Sequence, residues 1–140
     1  MNTSTIPQIQ TKEQIVNNLR FAADHAKNKF GIEFQEMKDG RARATLLIEE
    51  KHLNAFRIPY GTFLFNLADM TAGVAYLTLG GFGPTVNSTM NFIGAAKEGD
   101  TVVCTAEVVK FGRKISFVTA ELRTAEDKLL AKTEFTFYTL

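Results

Sequence analysis

The sequence predicts an α+β domain in which an antiparallel sheet wraps one long apolar helix. Two observations carry that prediction. From Phe63 to Leu79 the chain is an almost unbroken run of apolar and small residues with a single formal charge, Asp69. Elsewhere, most segments alternate apolar and polar residues, as strands do when one face is buried and the other is wetter. A helix that is apolar nearly all round must be covered on most sides, and a curved antiparallel sheet would cover it. At 140 residues the chain is the size of one domain, 1–140, large enough to build a core without disulfides or metals.

In chain order, "TKEQ" announces a first helix over about 11–29: Thr11 caps it and Gln14 completes a capping box. Ile15, Leu19, Ala22 and Ala26 fall on one face, and Gly31 follows its end, so this helix is amphipathic and lies on a surface. "IEFQEM" and "RARATLLIEE" then read as two strands joined at Asp39-Gly40, a strong hairpin signal. The apolar helix follows over about 61–79. Four strands come after it: "TVNSTMNFIGA", "DTVVCTAEVVKFG", "KISFVTAELRT" beyond a Gly112-Arg113 turn, and "KLLAKTEFTFYTL". In the last, Leu129, Ala131, Thr133, Phe135 and Phe137 share one face. Leu130, Lys132, Glu134 and Thr136 share the other.

The formal net charge of +1 gives no electrostatic case for nucleic acid or an anionic membrane. The Phe63–Leu79 run is shorter than the roughly 20 residues of a membrane span and contains Asn66, Asp69 and Thr71. Cys104 is the single cysteine, which suits a reducing compartment, and it reads as a small core residue. "MNTSTIPQIQTKEQ" holds no basic segment followed by an apolar core, so a cytoplasmic protein is expected.

Most catalytic constellations are excluded. Ser4, Ser88 and Ser116 stand in no G-x-S-x-G elbow, and there is no H-E-x-x-H and no cysteine pair, so no metal is expected. "GGFGP" at Gly80–Pro84 follows a helix rather than preceding one and reads as a C-cap with a turn. His25 lies late in the first helix, where a histidine suits the helix dipole, and His52 reads as a surface loop residue.

Asp69 remains. An ionised carboxylate among apolar residues costs several kcal/mol unless it is paired or hydrogen-bonded, and a bland role would be a bond to nearby backbone. Context comes from the start of the same helix. Gly61 has no side chain to shield its N–H, and unpaired N–H groups in a first helical turn polarise a carbonyl as an oxyanion hole. Gly61 and Asp69 stand eight residues apart, roughly 12 Å along a helix. They do not reach one carbonyl within one chain. If both act on one bond, they come from two chains, and a homodimer with two shared sites is expected.

"HLNAFRIPYGTFLFNLADMTAGVAY" resembles the signature of hotdog-fold acyl-CoA thioesterases of the phenylacetic-acid-degradation (PaaI-like) type: Asn-x5-His-Gly-Gly, then about eight residues to an acid. "PTVNSTMNFIGAAKEGD" is similar to the family's next strand and turn. The resemblance covers about His52 to Leu140 and implies a hotdog fold. It also implies hydrolysis of an acyl-CoA to acid and CoA with no cofactor besides the substrate's own coenzyme A. Gly61 would bind the thioester oxygen, and Asp69 would be general base or nucleophile. Asn54 would help hold the water or thioester, and Thr85 would contact the water. Asn and Gly would come from one subunit, and the acid and hydroxyl from the other. Plainer readings stand beside these: Asn54 as a turn residue, Thr85 as an ordinary strand residue. Lys97 and Arg113 lie in turns where the family binds nucleotide phosphates, although exposed Lys and Arg are common.

One departure is plain. Tyr60-Gly61-Thr62 replaces His-Gly-Gly, so a phenol hydroxyl that can donate a hydrogen bond stands where the family has an imidazole, and Thr62 narrows the entry. Phe63, Phe65, Met70 and Phe92 are candidates to line an apolar pocket for a medium-length or aromatic acyl group. Two alternatives are weighed: a non-catalytic acyl-CoA-binding hotdog protein, and a hotdog dehydratase, which would need a catalytic His motif that this chain lacks. Dimers of dimers are a further possibility.

Overall fold

The structure is a computed structural model and describes residues 10–140. The first nine positions, which include Ser4 and most of the stretch read for a secretory signal, lie outside the described residues. Helix α1 spans Lys12–Phe30 and begins with the expected capping box: Gln14 N–H donates to the Thr11 hydroxyl at 3.1 Å, and Thr11 N–H donates to Gln14 Oε1 at 2.8 Å. It ends at Gly31, whose φ of 69° is left-handed.

Strands β1 (Glu33–Lys38) and β2 (Arg41–Leu47) follow, joined by Asp39 and Gly40 at φ 53° and 79°. Positive φ at both central residues is the hairpin geometry that suits the twist of the flanking strands. Helix α2 spans Gly61–Thr78, one residue shorter at its end than expected. Then come β3 (Thr85–Phe92), β4 (Thr101–Lys110), β5 (Ile115–Thr124) and β6 (Leu129–Tyr138).

The six strands form one antiparallel sheet in the order β1-β2-β4-β5-β6-β3. The chain leaves β2 near one edge and enters β3 at the opposite edge. Helix α2 makes that crossing and lies across the sheet's inner face. Leu64, Leu67, Ala68, Thr71, Ala72 and Ala75 of α2 are buried. They meet a face built from Ala42, Ala44 and Leu46 of β2, Val102, Cys104 and Ala106 of β4, Val118, Ala120 and Leu122 of β5, and Phe135 and Phe137 of β6. Alanines on the central strands leave room for the helix to approach closely, and α1 packs against α2 from outside the sheet.

One alternation fails. Leu130 was expected on the wetter face of the last strand, yet it is fully buried beside Ala131. The pairing steps from Leu122↔Ala131 to Arg123↔Leu129, so Leu130 is the extra residue of a β-bulge, and past a bulge the period of two slips. Its carbonyl accepts the N–H groups of Ile93 at 2.8 Å and Gly94 at 3.0 Å, which fixes the chain as it leaves β3.

Candidate active site

Asp69 sits half-buried midway along α2, and Thr85 opens β3. The Thr85 hydroxyl donates to Asp69 Oδ1 at 2.7 Å. Hydrogen bonding answers the cost of placing a carboxylate in this helix. It also aims the carboxylate and leaves its second oxygen for another donor.

The start of α2 is built by the loop before it. Asn54 Oδ1 accepts two backbone N–H groups, from Phe56 at 2.9 Å and Ile58 at 3.0 Å, while Asn54 N–H donates to the Ile58 carbonyl at 2.8 Å. Arg57 is left-handed inside this turn, at φ 62°. The turn takes the Asn54 oxygen, and its NH2 is not part of the turn. Leu53 bridges to Pro59, and Tyr60 N–H donates to the His52 carbonyl at 2.8 Å, which delivers the chain to Gly61.

His52 is not the surface residue its sequence suggested: only 3% of it is exposed. Its Nδ1 accepts Glu49 N–H at 2.9 Å and its ring stands edge-on to Phe63, 4.9 Å between centroids. Burial, then the Lys51 charge, push its pKa below the ordinary 6.5, with Glu49 opposing. A short helical turn from Glu50 to His52 buries it, a signal too short for periodicity to carry.

The Tyr60 side chain makes no capping bond to the helix; Phe63 N–H donates to the Tyr60 carbonyl at 3.2 Å, while the N–H groups of Gly61 and Thr62 have no partner among the described residues. Gly61 sits beneath the Phe92 ring: a Cβ there would come within 3.1 Å of the ring's far carbon. Asp69–Thr85 thus lies at one end of β3, and Gly61–Phe92 at the other.

The remaining expected residues are dispersed. Tyr60 is exposed at the surface, its ring 6.1 Å from that of Phe63, and Thr62 is exposed in the first turn of α2. Phe65 packs on Phe135, 5.6 Å between centroids, and Met70 packs against the core. Within one chain, Phe63, Phe65, Met70 and Phe92 therefore do not line one pocket. Positions 63 and 65 project from opposite sides of the helix, because two residues turn it by roughly 200°. Lys97, whose N–H donates to Asp100 Oδ2 at 3.0 Å, precedes β4, and Arg113 follows it. A ten-residue strand separates them, about 33 Å.

Cys104 is buried, as expected, and burial pushes its thiol up to about 12 against a lowering contact from Thr71. Among the described residues, no group of three His, Cys, Asp or Glu side chains could hold a metal. No helix there is long and apolar enough to cross a membrane.

A six-stranded antiparallel sheet around a central helix, with a hydrogen-bonded acid on that helix, defines an α+β protein of the hotdog class. The family model described as Thioesterase superfamily matches residues 58–131. A putative esterase of Archaeoglobus fulgidus is 30% identical over 103 residues, covering 74% of this chain and 67% of that protein. Acyl-coenzyme A thioesterase PaaI of Escherichia coli is 27% identical over 108 residues, 77% of each chain. A hypothetical thioesterase from Streptococcus pneumoniae TIGR4, solved with coenzyme A, superimposes with a TM-score of 0.79 at 26% identity, covering 89% of this chain and 96% of that one. The chain belongs to the thioesterase superfamily, among the thioester hydrolases of the PaaI-like hotdog type.

Proposed function

We propose that the protein hydrolyses acyl-CoA thioesters at two sites shared between two copies of the chain. The observation that carries this is the Thr85 hydroxyl bound to Asp69 Oδ1 at 2.7 Å, which presents an oriented carboxylate on an otherwise apolar helix. The coenzyme A in the pneumococcal relative's structure supports the substrate class. In the proposed reaction, Asp69 takes a proton from water as the water oxygen attacks the thioester carbonyl. The carbonyl oxygen gains negative charge and is held by the Gly61 N–H at the start of the other copy's α2. Collapse breaks the C–S bond, and the thiolate leaves with a proton, giving acid and CoA. Attack by Asp69 itself, with water then cleaving the anhydride, ends in the same products.

The exposed edge of β3 supports the shared site. This strand pairs with β6 along one edge, and among the described residues nothing pairs with the other. Val86, Phe92 and Ile93 are more than half exposed on or just after it, as are Phe56 and Ile58 in the loop before α2. An exposed, apolar strand edge is a template for another strand. Antiparallel pairing with a second copy about a two-fold axis sets the Thr85 end of one β3 beside the Phe92 end of the other. That brings Asp69 of one copy towards Gly61 of the other, as the roughly 12 Å between them within one helix requires.

Asp69→Asn keeps the acceptor for Thr85 and removes the base. Thiol release from acyl-CoA should fall at least about 100-fold, with the fold intact by circular dichroism. Turnover equal to wild type would remove Asp69 from the chemistry.

A further inference from the structure

Beyond Asp69, on the same side of α2, an apolar groove of about 360 Å³ is lined by Gly73, Leu77, Phe82, Pro84 and Leu140, with Tyr76 also contributing. Asp69, Gly73 and Leu77 are spaced i, i+4, i+8, one row along the helix. Pro84 directly precedes Thr85, the partner of Asp69. Asp69 and Thr85 do not line the groove themselves; it opens one helical turn past Asp69 and at the residue before Thr85. Its Tyr76 ring is stacked on Phe137, 4.8 Å between centroids, and its hydroxyl is bonded to that of Thr139. Tyr76 thus presents a fixed ring surface with its polar end satisfied. Among the described residues, no charged side chain lines the groove.

Gly73 is the informative residue. Gly81 and Gly83 are required by packing, since a Cβ at either would run into the Tyr76 ring or the Tyr138 carbonyl. At Gly73 the nearest atom to a Cβ would be Phe137 Cε1 at 3.9 Å, an ordinary contact, and its φ is not positive. Alanine would fit and would favour the helix. Neither backbone conformation nor packing explains a glycine here. What it does is keep the wall of the groove open one turn past Asp69.

We propose that this groove is the acyl subsite, taking an uncharged saturated or aromatic acyl group larger than acetyl, with its carbonyl at Asp69 and its tail running past Gly73 towards Phe82. The inference rests on the thioesterase reading above. It differs from the set of Phe63, Phe65, Met70 and Phe92, which lie apart within one chain. The size agrees with the lower end of small-molecule sites, about 300 Å³.

The test is the ratio of kcat/KM for octanoyl-CoA to that for acetyl-CoA, measured by thiol release. Gly73→Leu fills the groove and should lower the ratio at least about tenfold, since single-methylene differences in apolar pockets are worth about 10- to 200-fold. Phe82→Ala removes an exposed wall and should lower it in the same direction. If Gly73→Leu loses cooperative melting, Phe82→Ala decides. Ratios unchanged from wild type, while wild type stays active, would overturn the acyl subsite and leave the thioesterase reading standing. No thiol release by wild type from any CoA ester would overturn both.

Discussion

At the scale of single residues, Asp69 and His52 are both polar groups kept in apolar surroundings by one specific bond. Asp69 is bonded by Thr85, and His52 accepts from Glu49 N–H through Nδ1. Protonation of His52 would turn that acceptor into a donor facing a donor. Its folded pKa lies below the ordinary 6.5, chiefly through burial. Above 6.5 both the folded and unfolded chains hold it neutral, and its contribution to stability is complete. As pH falls below 6.5, the unfolded chain binds a proton that the folded chain resists, so stability declines until the folded value is passed. Glu49 and Lys51 precede it in sequence, Lys29 and Asn66 line the small cavity beside it, and Phe63 stands edge-on to its ring. The thermal midpoint of wild type should therefore fall as pH is lowered from 6.5. His52→Gln keeps an acceptor and does not titrate, so its midpoint should fall less over that window. Parallel curves for the two proteins would remove His52 from the effect.

At the scale of elements, the loop from Leu53 to Pro59 decides how α2 begins. Asn54 joins a turn, through its oxygen, to whatever its NH2 meets. Asn54→Asp preserves the acceptor for Phe56 and Ile58 N–H and removes the donor, whereas Asn54→Ala removes both. If the NH2 serves catalysis, both variants should lose kcat, by about tenfold for a hydrogen bond of ordinary strength, while only Ala lowers the thermal midpoint. An Asp variant with full kcat would leave Asn54 a turn residue only. Helix α1 and strands β2, β4, β5 and β6 were legible because each buries one side, and burial writes its period into the sequence, whereas α2 was legible as an unbroken apolar run. Leu130 and His52 were misplaced where that period fails, at a bulge and in a single short turn.

At the scale of the whole molecule, the proposed pairing of β3 with its copy predicts complementation. Asp69→Asn damages one half of each site. Gly61→Val, whose side chain would press on the Phe92 ring, damages the other half. Random mixing of the two inactive variants by co-refolding should restore about a quarter of wild-type activity: half of the dimers are mixed, and each mixed dimer holds one intact site of two. Mixed dimers that stay inactive would place each site within a single chain.

The sequence by itself determined the elements, the capped first helix, the hairpin at Asp39-Gly40 and the oddity of one carboxylate in an apolar helix. These are local properties, set by neighbours a few residues apart. It also set the span between Gly61 and Asp69, because the rise of a helix is fixed. Only the tertiary structure decided that Thr85, sixteen residues from Asp69, would bond it. Only the tertiary structure decided that Phe92 would lie over Gly61 and that an open groove would run past Gly73. Those contacts depend on α2 carrying the chain from β2 to the far edge of the sheet. Strand order is a non-local choice, and the periodicity of any one segment holds no record of it.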